Sequence, residues 1–77
     1  MMTAPERAAT EAFHADLLTE FRNNAAVMWI ARSGGDAVRY DETVEAARGL
    51  YREIREVEFC LTTGTLPPDV EEASRVA

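Results

Sequence analysis

Glu11 and His14 are the residues best suited to chemistry, and they stand three positions apart in the segment EAFH. Side chains at positions i and i+3 of a helix share a face, so this carboxylate and this imidazole would lie together. Carboxylate and imidazole are ligands that iron, manganese and zinc accept. Two ligands do not complete a metal site, so a third has to come from elsewhere in the chain.

Glu58 is the candidate third ligand. If the chain folds back at residues 34–35 as two helices, position 58 comes opposite position 11, and Glu11, His14 and Glu58 converge. The Glu-x-x-His spacing recurs in di-iron carboxylate bundles. In ligand types the three residues resemble the subunit-interface site of encapsulated-ferritin-type proteins, which implies a metal-binding helical dimer. The simpler interpretation, which we adopt, is an ordinary helix surface with no metal and no cofactor.

A second group of candidates is suited to binding a protein partner. Aromatic residues and arginine dominate the energetics of protein interfaces, which singles out Trp29 and Tyr40. Three arginines follow at helical spacing on one face, namely Arg48, Arg52 and Arg55. We predict that these five residues contact a partner. The alternatives are that the two aromatics form the core and that the arginines are solvated and paired with neighbouring glutamates.

Composition narrows the class of protein. The 77 residues predict one small domain, and the formal net charge of −6, with arginine as the only basic residue type, disfavours direct binding to nucleic acid. One cysteine, Cys60, and one histidine exclude a disulfide or a Cys/His zinc site within one chain. The N-terminus lacks the pattern of a signal peptide, and no run approaches a membrane span. We expect a cytoplasmic protein without a membrane partner.

Two helices are expected to position these residues. Thr3 and Glu6 fit a capping box at the start of a helix over about 4–22, which Asn23-Asn24 would end. Asp41 is the expected N-cap of the second helix, and Gly64 its C-cap. These elements form a domain over residues 1–64. A Pro-containing acidic tail follows over 65–77, with a short helix possible within it.

The segment between the helices, residues 26–40, decides the fold class. A turn at Gly34-Gly35 would make a β-hairpin that pairs Trp29 with Tyr40, giving an α+β fold of order α-β-β-α, and we favour this interpretation. The alternative is an all-α helical hairpin that forms a dimeric bundle. It rests on a stripe with a spacing of three and four residues: Ala37, Tyr40, Val44, Ala47, Tyr51, Ile54, Glu58 and Leu61.

The functional expectation is a non-enzymatic, acidic protein-interaction module. It would act as an inhibitor or adaptor on a larger protein, in the manner of a phage-encoded anti-defence protein or an antitoxin. The alternative is a structural subunit of an oligomer, including a homodimer. An alanine-rich first helix with FHADLL, a ribbon, and a second helix ending TTG together resemble the layout of head–tail joining proteins of lambda-like phages. That resemblance implies a structural role and carries no functional residue across.

Overall fold

The protein folds as a helical hairpin, seen in a computed structural model that describes residues 1–76. Helix α1 spans Ala4–Ser33, α2 spans Ala37–Thr63 and α3 spans Pro68–Val76, and the described residues contain no strand. The antiparallel pair α1 and α2 forms a rod whose Cα extents, α3 included, are 47 × 24 × 14 Å. Ala77, the last residue of the predicted acidic tail, lies outside the described residues.

The predicted β-hairpin over residues 26–40 is wrong, and with it the α+β fold class. Gly34-Gly35 ends α1 instead of turning a ribbon. Gly35 has a φ of 72°, its N–H donates to the Arg32 carbonyl at 3.3 Å, and the Asp36 N–H donates to the Ala31 carbonyl at 2.9 Å. These two bonds form a Schellman motif, which needs a residue in the left-handed conformation that glycine adopts without cost. The all-α alternative is the one that fits.

The boundaries of the two long helices also differ from the prediction. Helix α1 continues through Asn23-Asn24, because the Asn24 side chain forms a tertiary hydrogen bond in which its Nδ2 donates to the Thr43 carbonyl at 2.7 Å. Asp36 replaces Asp41 as the N-cap of α2, and its carboxylate accepts a bond from the Arg39 N–H at 3.1 Å. The connection between the helices is therefore only three residues long.

Two predicted helix ends are confirmed. At the start of α1 the Thr3 hydroxyl accepts from the Glu6 N–H at 3.3 Å, and the Glu6 carboxylate accepts from the Thr3 N–H at 2.8 Å. The bond from the Thr3 amide lowers the pKa of the Glu6 carboxyl, because it favours the charged form. At the end of α2, Gly64 has a φ of 76°, and its N–H donates to the Cys60 carbonyl at 2.9 Å.

A seam of side chains joins α1 to α2 at alternating spacings of three and four residues. Leu17, Ile54 and Val57 form the central buried cluster of the seam, around which other apolar side chains pack. The alternating spacing is that of an antiparallel coiled coil. On α1 the seam positions are Thr10, His14, Leu17, Phe21, Asn24, Met28 and Ala31; on α2 they are Tyr40, Thr43, Ala47, Leu50, Ile54, Val57 and Leu61.

The seam of α2 shares every second position with the predicted apolar stripe, and at the other positions it uses the residue before: 43, 50 and 57 instead of 44, 51 and 58. Thr43 and Val57 are buried, whereas Tyr51 and Glu58, which the stripe placed inside, are exposed. Apolar residues of α2 thus occupy two adjacent rows, of which only one packs on α1. The second row remains for another surface.

Helix α3 packs back on one side of the hairpin. Pro67 and Val70 are buried, and α3 borders a groove with Ala9 and Phe13 of α1. The half-buried Cys60 lies beside the prolines that lead into α3. One side of the rod is therefore partly covered by α3, and no other element of residues 1–76 covers the side that carries the His14–Glu58 pair.

Candidate interaction face

The helical hairpin brings His14 and Glu58 together. The His14 Nε2 lies 3.1 Å from the Glu58 Oε2, with 22% of the histidine side chain and 47% of the glutamate side chain exposed. His14 is a seam residue of α1, and Glu58 directly follows the seam residue Val57, so the register of the two helices sets the contact. The pair is a hydrogen bond that becomes an ion pair when the imidazole is protonated.

Glu11 does not join this pair. Its Oε1 lies 3.3 Å from the Nε of Arg7, one turn earlier on α1. Among the described residues, no three or more His, Cys, Asp or Glu side chains lie close enough together to hold a metal ion. A single chain therefore brings together two of the three predicted ligands, His14 and Glu58, whereas the third, Glu11, is paired with Arg7.

The aromatic residues Trp29 and Tyr40 lie in different environments. Trp29 is 62% exposed near the end of α1, and the Arg32 guanidinium lies 5.6 Å from the centre of its ring. A cation over an indole face is a favourable electrostatic contact, worth about 0.5–1 kcal/mol at an exposed site. Tyr40 is half-buried in the seam beside the corner, so the side-by-side pairing of the two aromatics expected from the β-hairpin is wrong.

The three predicted arginines of α2 are all exposed. Arg48 donates to the Glu45 carboxylate at 3.0 Å, and both side chains are more than two-thirds exposed, so this pair contributes little to stability. Arg48 and Arg55 lie on the same side of the rod as Trp29, and Arg52 lies further toward the outer edge of α2. The structure thus places two of the three on the side of the rod that carries Trp29.

These residues belong to a larger surface, which we call the open face. It lies on the side of the rod opposite α3 and consists of the helix positions that flank the seam on that side. Its apolar members are Leu18, Ala25, Trp29, Val44 and Tyr51; its charged members are Arg7, Glu11, Arg22, Arg32, Asp41, Arg48, Arg55 and Glu58. Sequence reasoning missed Leu18, Val44 and Tyr51 as parts of a surface. The available signal was an apolar band on α2 wider than one neighbouring helix can cover.

Charge is distributed unevenly around the rod. The open face holds five of the eight arginines but three of the fourteen acidic residues, so its charges have a small positive sum. The remaining surface carries the other eleven acidic residues with three arginines. Charge repulsion between this acidic protein and another acidic molecule is weakest at the open face.

Comparison of the chain with protein-family models, with curated proteins and with solved structures finds no match. Within residues 1–76, no helix combines the length and the apolar character that crossing a bilayer requires.

Proposed function

We propose that the chain is a non-enzymatic protein-interaction module that binds another protein surface through the open face. The observation that carries the proposal is the exposure of two large aromatic side chains on this one face: 62% for Trp29 and 56% for Tyr51. Trp, Tyr and Arg are the residue types that contribute most at protein interfaces. Arg32 stands over the Trp29 ring, so two of these residue types already lie side by side on this surface.

The energetics of the fold support the same proposal. The buried apolar side chains among the described residues are Leu17, Ala31, Ile54, Val57 and Val70, a small core for 77 residues. Completely burying one large apolar side chain contributes about 1.5–3 kcal/mol. Trp29 and Tyr51 are each a little over half exposed, so covering both in a complex would add an apolar burial comparable to that of one large core side chain.

An inhibitor or adaptor acting on a larger protein is the form of this function that we propose first. A structural subunit of an oligomer is the second candidate, and a specific observation favours it. The two long helices make a single layer, whereas globular domains are built from two or more packed layers. A subunit that completes its second layer by assembly would have this shape.

Site-specific photo-crosslinking tests the proposed function. A photoreactive phenylalanine analogue replaces Tyr51 or Trp29 on the open face and, as a control, Glu20. Glu20 is exposed on α1 at about the height of Tyr51 but on the other side of the rod. We expect protein adducts from positions 51 and 29, either with the purified chain or in extract of the native host. Adducts equally strong from position 20, or none from 51 and 29, would refute the proposal.

A further inference from the structure

We infer that the occupant of the open face is a second copy of this chain, so that two hairpins pack open face to open face as a four-helix bundle. This inference rests on the second form of the proposed function, a subunit that completes its second layer by assembly, and names the partner as another copy of the chain. It is argued from the missing layer, the amount of surface, the distribution of charge and the register of the apolar side chains.

The missing layer is the first argument. Helices α1 and α2 bury one stripe each against the other, and α3 packs on one side of this pair. The open face has no covering element among the described residues, although it carries a second apolar row on α2. A second hairpin has the length needed to cover it from end to end, because the two copies are the same 47 Å rod.

The surface area of the monomer fits a dimer. The chain exposes 5637 Å², whereas a compact monomer of 8.5 kDa exposes about 4,700 Å². The radius of gyration of 15.2 Å likewise exceeds the value of about 11–12 Å for a compact domain of this length. The excess of roughly 1,000 Å² is close to the ~800 Å² that each partner buries in a standard protein interface.

Charge favours a second copy at this face over any other face. Two chains with a net charge of −6 repel one another, and the repulsion is concentrated on the strongly acidic remainder of the surface. On the open face, five arginines are mixed with three carboxylates. Contact through this face keeps the acidic surfaces of both copies turned toward solvent.

The apolar side chains of the open face are in register for such a pairing. In the antiparallel hairpin, Leu18 lies at about the height of Tyr51, and Ala25 at about the height of Val44. A two-fold axis parallel to the helices sets α1 of one copy against α2 of the other. It brings Leu18 opposite the second copy's Tyr51 and Ala25 opposite the second copy's Val44, and all adjacent helices are antiparallel.

Two neighbouring residues provide a matched test. Trp29 and Ile30 are similarly exposed, at 62% and 70%, but Trp29 is on the open face and Ile30 is on the other side of α1. We expect sedimentation equilibrium of the full chain at micromolar concentrations to give a dimer. Trp29→Glu and Tyr51→Glu should weaken dimerisation at least tenfold, whereas Ile30→Glu and Tyr51→Phe should leave it within about twofold.

Folding is followed in parallel by circular dichroism. If a Glu variant loses its helices, the melting temperature of the wild-type chain is measured at several protein concentrations instead. The melting temperature of a dimer rises with protein concentration, and that of a monomer does not. A helical wild-type monomer with a concentration-independent melting temperature would overturn the inference. So would equal dissociation by Ile30→Glu, or a dimer that survives both open-face substitutions.

The crosslinking experiment separates failure of this inference from failure of the proposed function. A wild-type monomer that still crosslinks to a different protein through position 51 overturns the dimer and leaves the interaction module standing. A monomer that crosslinks to nothing through positions 29 and 51 overturns both.

Discussion

Replacement of Leu17 by alanine is the most direct test of the helical hairpin. Leu17 is 5% exposed and belongs to the central cluster with Ile54 and Val57. Leu→Ala removes three carbon atoms, worth about 0.8 kcal/mol each when buried, or ~2.4 kcal/mol. A cavity would add to this cost, but two helices with solvent on both sides can close over the gap, so we expect a total of about 2.5–3 kcal/mol. Stabilities of 0.05–0.15 kcal/mol per residue imply roughly 4–12 kcal/mol for this chain, so the loss is a large share.

Urea unfolding followed by circular dichroism at 222 nm measures this loss. The control is Leu18→Ala, which makes the same chemical change at a half-buried position of the open face. At concentrations where the chain is monomeric, we expect its effect to be at most half that of Leu17→Ala. A loss below about 1 kcal/mol for Leu17→Ala, with helix content unchanged, would refute the packing described for the seam.

Three further predictions concern local features. Gly35→Ala should lower the free energy of unfolding by about 1–2 kcal/mol, because φ is 72° there, whereas Gly49→Ala, in open space within α2, should raise it by about 0.5–1 kcal/mol. Because the pKa of Glu6 is lowered, its carboxylate stabilises the helix start fully above the ordinary carboxyl pKa, and this stabilisation is lost as pH falls through the lowered pKa. An acid titration of helix content should show this loss, and Glu6→Ala should abolish it. Asn24→Ala should cost about 1 kcal/mol in urea unfolding through loss of its hydrogen bond to α2.

Local signals predicted the helix ends more reliably than the segment between the helices. The capping box at Thr3 and the cap at Gly64 depend on residues within one turn, and both are confirmed. Gly34-Gly35 was misassigned because the same left-handed backbone serves a hairpin turn and a Schellman motif. The choice between them is made by the seam, which joins residues far apart in sequence, such as Asn24 and Thr43.

The part of the candidate site that depends on the register between α1 and α2 could be predicted from the sequence, and the part that depends on side-chain conformation could not. The approach of His14 to Glu58 followed from folding two helices about residues 34–35, whereas the pairing of Glu11 with Arg7 depended on a choice of side-chain conformation that spacing does not determine. Tyr51 was assigned to the apolar stripe because a rotation of one residue is too small to read from periodicity alone. Its exposure is a property of the packed pair.

The short corner between α1 and α2 determines the order in which the rod assembles and opens. Residues 34–36 close the smallest loop in the hairpin, so contacts around Ala31 have the lowest entropic cost. We therefore expect the helices to pair first near the corner and then toward their free ends. We expect the free ends of α1 and α2 to pair last and to fray first, but the buried Val70 of α3 lines a groove with residues 9–16 of α1. We expect amide hydrogen exchange to be slowest near the corner and middle of the rod. Removal of α3 should speed amide exchange only at the end of the rod away from the corner, because α3 stabilises the end whose helices pair last.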